Sequence, residues 1–143
     1  MSDPGDRLAA GDRIELRFPA RGDLVVLARL VTTAISARAG FDVEELEDLR
    51  LAVGELCLLA LQGSDAQHGD LRLELTVLGD AVAIDCSLER ASASGGVAPS
   101  PDEEETARLS EQILTALVDD HGRQSEDGAV RAWLRKRRRE HAG

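Results

Sequence analysis

Glu55 stands in the run LAVGELCLLALQ, Leu51 to Gln62, as the one carboxylate among apolar side chains. A carboxylate set in hydrocarbon is a candidate for general acid–base chemistry if other polar groups converge on it. Two further residue types could do chemistry. Cys57 and Cys86 both sit in apolar runs. They read as reduced core thiols, or as a redox-responsive pair if their elements meet in space. His68, His121 and His141 share no ligand spacing with cysteine or acid, so no metal site is expected. Gly95-Gly96 lies in a stretch of small residues and reads as chain flexibility rather than a phosphate cradle.

The elements that must position these groups follow from periodicity. RIELRFP, from Arg13, alternates Ile14, Leu16 and Phe18 against Glu15 and Arg17, a half-buried strand closed by Pro19. A helix follows, with Asp23 as its cap, Leu24, Leu27, Val31, Ala34 and Ile35 as its stripe, and Gly40 just past its end. A second helix opens with the capping box Asp42–Glu45, stapled by Phe41 and Leu46, and runs to about Gln62. DLRLELTVLGDAVAIDCS is a hairpin turning at Gly79-Asp80. A long loop from Glu89 to Glu105 leads to a third helix, reaching to about Gly122, with Leu109, Ile113, Ala116 and Leu117 as its stripe. GAVRAWLRK is the last strand, with Val130, Ala132 and Leu134 on one face and Trp133 on the other. The order strand, helix, helix, strand, strand, helix, strand predicts an α+β fold. It is a two-layer sandwich whose mixed, mostly antiparallel sheet carries helices on one face.

Composition sets the outer limits. The 143 residues suit one domain, placed at 12–137 between an N-terminal tail, 1–11, and a basic C-terminal tail, 138–143. Aromatics are 2%, so the core must be aliphatic. The apolar runs stop short of the ~20 residues that span a bilayer. The polar start MSDPGDRLAAGDR is no signal peptide, so a soluble cytoplasmic protein without membrane contact is expected. A net charge of −10 argues against direct nucleic-acid binding and favours a basic protein partner.

The second helix has two greasy faces. At about 100° per residue, Leu46, Leu49, Val53, Leu56, Cys57 and Ala60 fall on one stripe, and Glu55 falls opposite. Glu44 and Asp48 make that opposite sector polar near the start of the helix. Further along, Leu51, Leu58 and Leu59 surround Glu55. Such a cluster needs a cover. Either the helix is sandwiched between sheet and loop with Glu55 at its rim, or this face carries a site.

DLRLAVGELCLLAL resembles the first motif of the GHKL ATPases, in the branch of anti-sigma-factor serine kinases. In that motif, Glu-x-x-x-Asn, the Glu acts as base and the Asn holds Mg²⁺ on the nucleotide. IELRFPARGDLVVLARL and LTALVDD also resemble that family, over Asp12 to Lys136, most nearly the actinobacterial stress and sporulation anti-sigma factors. Matched to its motifs, Glu55 keeps the base position and Leu59 stands where the Asn belongs. Cys86 occupies the adenine-reading Asp position, and Leu88 the first Gly after it. Arg108 and Ser110 occupy the Gly-x-Gly that wraps the phosphates.

The resemblance therefore implies a degenerate protein kinase with no cofactor and Glu55 as a vestigial base. Leu51, Leu58 and Leu59 are expected to pack under the 89–105 loop, which replaces the ATP lid. The implied function is to sequester a sigma factor, with release by a STAS-domain anti-anti-sigma protein. The family also implies a homodimer and places a partner-contacting arginine at Arg29. Two alternatives stay open. One is an active ATP-dependent serine kinase using Glu55, with Asp85 reading adenine. The other is a redox-responsive binding domain working through Cys57 and Cys86.

Overall fold

A computed structural model describes residues 11–62, 69–90, 100–126 and 129–139. Eight elements follow one another: β1 (Arg13–Pro19), α1 (Val25–Arg38), α2 (Val43–Leu61), β2 (Gly69–Val77), β3 (Ala81–Arg90), α3 (Pro101–Leu117), β4 (Asp120–Glu126) and β5 (Ala129–Arg137). A 3₁₀ turn, Gly22–Leu24, leads into α1. The strands form one sheet in the order β1-β2-β3-β5-β4, and every pairing in it is antiparallel, so the sheet is not mixed.

Alternation puts one face of the sheet under the helices. Leu71, Leu73 and Leu75 of β2, Val82, Ile84 and Cys86 of β3, and Ala132 and Leu134 of β5 join the helices in one core cluster. That cluster takes Leu49, Val53, Leu56, Leu59 and Ala60 from α2. The other face of the sheet is charged. Arg13, Arg17, Arg72 and Arg131 meet Glu15, Glu74, Glu89 and Asp85 there.

The expected helix boundaries hold best where caps are specific. Gly40 takes φ +95. Gly40 N–H donates to the Ala37 carbonyl and Phe41 N–H to that of Ser36, a Schellman pair that ends α1. The capping box forms reciprocally: Glu45 N–H donates to Asp42 and Asp42 N–H to Glu45. Asp23 does not cap α1; it pairs with Arg21 at 2.8 Å.

Three expectations are corrected. The third helix stops at Leu117, and Asp120–Glu126 forms an edge strand rather than the helix's end. Val118 leaves the helix in extended conformation. Lys136 Nζ then donates to the freed Leu117 carbonyl at 2.7 Å, where a cation also suits the helix dipole. The stripe of α1 holds in part: Leu24, Val31 and Ile35 pack against the core, but Leu27 and Ala34 are exposed, and the fully buried residues are Val25, Ala28, Thr32 and Ser36. In α3, Ala107, Ser110 and Leu114 are buried and Leu109 is exposed. Small residues, Ala28, Thr32 and Ser36 of α1 and Ala107 and Ser110 of α3, share the inward faces with larger ones such as Val25 and Leu114.

β3 runs to Arg90 and α3 starts at Pro101, so the span expected as a loop, 89–105, is partly regular structure. Residues 91–99, including Gly95-Gly96, lie outside the described residues, as do 1–10 and 140–143. Beyond β5, Arg139 N–H donates to Glu45 at 2.7 Å and Arg138 to the Ala39 carbonyl, so the basic segment begins bound to the α1–α2 corner.

Candidate functional site

Glu55 lies on α2 opposite α3, and its Oε2 accepts a hydrogen bond of 2.7 Å from the Ser110 hydroxyl. This is the short geometry of a charge-assisted bond to a carboxylate. Ser110 is itself buried. The pair therefore stitches α2 to α3 at the place where a base would need room for a substrate hydroxyl. Spacing in the sequence could not reveal this bond, since its members are 55 residues apart.

The remaining motif positions are distributed as follows. Leu59 is 1% exposed and belongs to the core cluster. Leu51 and Leu58 do not pack with it; both are exposed. Their separation follows from helix geometry, since Leu59 turns toward α3 and the sheet while the other two share an outward strip.

Cys86 and Leu88 are buried on β3, where Cys86 pairs with Leu73 and Leu88 with Leu71 across the ladder. The Cys86 thiol donates toward the Cys57 sulfur at 4.0 Å, and both cysteines are free thiols. The bond to Cys57, followed by burial, pushes the Cys86 thiol well above its usual range. Asp85 points to the opposite face of the sheet and pairs with Arg131. Two residues of one strand that differ by one in number cannot share a face.

Arg108 and Ser110 lie well inside α3 rather than in a loop ahead of it. Only the first four amides of a helix lack an intrahelical partner, so amides at these positions are already committed. Arg108 contributes to an open groove of about 600 Å³ on the outward side of α3, with Asp102, Glu105, Thr106, Leu109 and Gln112. Glu55, Leu59 and Cys86 are not among the residues lining it.

The side chains of Leu59 and Cys86 offer no oxygen of the kind Mg²⁺ coordinates. Among the described residues there is no group of three His, Cys, Asp or Glu able to hold a metal ion. No described helix is long and apolar enough to cross a membrane.

Arg29 projects from α1 over α2. Its guanidinium lies against Gly54, the residue before Glu55, and among the described residues no carboxylate pairs with it. The signal that sequence reasoning missed here was the glycine itself. A glycine in the middle of a helix costs stability relative to alanine and usually marks a close approach.

The antiparallel sheet, the helices on one face and the Glu55-bearing second helix define an α+β sandwich of the GHKL ATPase type. Residues 18–136 match the family described as the histidine kinase-like ATPase domain, and the chain belongs to that family. It is similar to the serine-protein kinase RsbW of Bacillus pumilus (strain SAFR-032), with 35% identity over 77 residues, covering 51% of this chain and 48% of that protein. RsbW of Bacillus subtilis (strain 168) is 31% identical over 75 residues, covering 51% and 47%. RsbW of Listeria monocytogenes serotype 4a (strain HCC23) is 35% identical over 77 residues, covering 51% and 48%. The chain spans about half the length of these relatives. The crystal structure of the RsbU and RsbW domains of Rv1364c from Mycobacterium tuberculosis superposes with a TM-score of 0.64. It covers 92% of this chain and 34% of that one at 18% identity, a likeness of fold.

Proposed function

We propose that this chain is an anti-sigma factor that sequesters an alternative sigma factor in the cytoplasm and is released by a STAS-domain anti-anti-sigma protein, without binding ATP or transferring phosphate. The observation that carries the second half is the Glu55–Ser110 hydrogen bond. Phosphoryl transfer depends on positioning and on charge neutralisation around a bound metal. Here the would-be base is engaged by a protein hydroxyl, the metal-ligand position is core leucine, and the adenine position is a buried thiol. The binding half is supported by family membership, by Arg29 on α1, which has no carboxylate partner among the described residues, and by an acidic body that speeds encounter with a basic partner. The chain acts as a homodimer in this reading and makes no direct contact with nucleic acid.

Titration calorimetry with Mg·ATP tests the chemistry, and biolayer interferometry against the purified sigma factors and STAS proteins of the source organism tests the partners. The expected results are no nucleotide heat, and saturable binding to one sigma factor reversed by one STAS protein. Micromolar Mg·ATP affinity, or phosphoserine appearing on the STAS protein, would establish the active kinase instead.

A further inference from the structure

The chain holds two cysteines, and the fold brings them together. Cys57 belongs to α2 and Cys86 to β3, 29 residues further on, yet their sulfurs stand 4.0 Å apart. Both are free thiols with no exposed surface. β3 is the middle strand of the five, and Cys86 sits between Leu73 of β2 and Ala132 of β5 across the two ladders. A bond between these sulfurs would therefore tie the helix that carries Gly54 and Glu55 to the centre of the sheet.

The contact has a direction. Cys86 donates its hydrogen and Cys57 accepts it. That bond, and then burial, hold the proton on Cys86. Cys57 is the sulfur whose thiolate a neighbouring S–H would solvate, so it is the one placed to act as nucleophile. A disulfide needs a separation of about 2.05 Å. The sulfurs stand at 4.0 Å, a gap that rotation at both Cα–Cβ bonds and a small settling of α2 on the sheet would close.

We propose that Cys57 and Cys86 are a redox latch: a hydroperoxide oxidises them to an intramolecular disulfide that ties α2 to β3, and a dithiol reductant reopens it. This goes beyond the binding function proposed above and does not depend on it. The Cys57 thiolate attacks one oxygen of the peroxide. An S–O bond forms, the O–O bond breaks, and the second oxygen takes a proton and leaves as alcohol or water. Cys86 then gives up its proton and attacks the sulfenic sulfur of Cys57. The S–S bond forms, the S–O bond breaks, and hydroxide leaves with that proton as water. Two electrons pass from the two sulfurs to the peroxide. Neither sulfur is exposed, so the first attack waits for α2 to lift locally from the sheet, and the latch answers sustained rather than brief oxidant. Once α2 settles back, the resolving thiol is already in contact, which favours the disulfide over further oxidation of Cys57.

The test uses the full chain, hydrogen peroxide as the probe, and peptide mapping without reductant. The expected product is one chain in which the Cys57 and Cys86 peptides are joined, and dithiothreitol separates them. It forms more slowly than in the urea-unfolded chain. Closing this loop raises Tm of the oxidised chain by about 5–10 °C, and reduction reverses the rise. Cys57→Ala and Cys86→Ala each form no intramolecular bond and show no peroxide-dependent rise in Tm. The mapping on the parent chain decides the matter even where a variant folds poorly. Thiols still free after prolonged peroxide would refute the latch. So would oxidation that ends in sulfinic acid or in a bond between two chains. A disulfide that forms without raising Tm would refute the tie between helix and sheet.

Discussion

Leu59→Asn restores the side chain that the family's metal site would carry, and its cost distinguishes a filled interior from a wet one. Leu59 is 1% exposed within the core cluster. Removing it forfeits about 1.5–3 kcal/mol of apolar burial. Asparagine is close to leucine in shape, so the cavity term is small. Its amide, buried without a partner, adds about 1–3 kcal/mol. The sum, about 2.5–6 kcal/mol, is a large share of the roughly 5–15 kcal/mol that holds a domain of this kind together. At a denaturant slope of about 2 kcal/mol/M, the urea midpoint falls by about 1.2–3 M. Far-UV circular dichroism during urea titration measures it. A loss below about 1 kcal/mol would mean that the new amide meets water or polar groups, and the view of this position as solid core would be refuted. On the proposed function this variant should show no Mg·ATP binding, because Cys86 and the Glu55–Ser110 bond are untouched.

Other expectations follow from single contacts. A methyl group at Gly122 would stand 2.7 Å from the Trp133 ring, so Gly122→Ala should cost about 1–3 kcal/mol by overpacking. Trp133 is the single tryptophan, and its emission should shift to the red as the ring moves outward. Glu45 is buried and accepts from the Asp42 and Arg139 amides, so Glu45→Ala should lower stability by about 2–4 kcal/mol, read from the urea midpoint. The Cys86 thiol is raised above its ordinary value of 9.0 in the folded chain. Folding therefore favours the protonated thiol: that contribution is complete below pH 9 and fades as pH climbs through the folded value. Tm of the parent should fall more steeply above pH 9 than that of Cys86→Ala; parallel curves would refute it.

The sequence was most legible where a local motif does its own work. The capping box at Asp42, the glycine stop at Gly40, the Gly79-Asp80 hairpin and the alternation of β2 and β3 each act within a few residues. It failed where partners are distant. DHGRQSE carries no apolar alternation, because β4 is an edge strand held by hydrogen bonds to β5, and polar edges are what strands use to avoid aggregation. The stripe of α1 was legible in part: Leu24, Val31 and Ile35 pack against the core, but counting large apolar residues favours Leu27 over Ala28 and Thr32, which are the buried ones. At the site, the spacing around Glu55 was readable, but its partner Ser110 and the Arg29 seat on Gly54 arise only when three helices are laid side by side.

The proposed loss of chemistry depends on α2, which turns different sides to the sheet, to α3 and to solvent. Leu49, Val53, Leu56 and Ala60 face the sheet, so substitutions there are paid in stability. Glu55 faces α3, and its oxygen already accepts from a hydroxyl at 2.7 Å, the contact a base would make with the group it activates. That hydroxyl belongs to the protein itself. Leu51 and Leu58, 54% and 42% exposed, lie on the remaining side, where trimming a side chain costs less packing. Outward substitutions should therefore cost less stability than inward ones, with small coupling between outward and inward substitutions that share no partner. An active kinase would couple them instead, because its base, its metal ligand and its substrate contacts would share the α3 side, where Glu55 and Leu59 now pack.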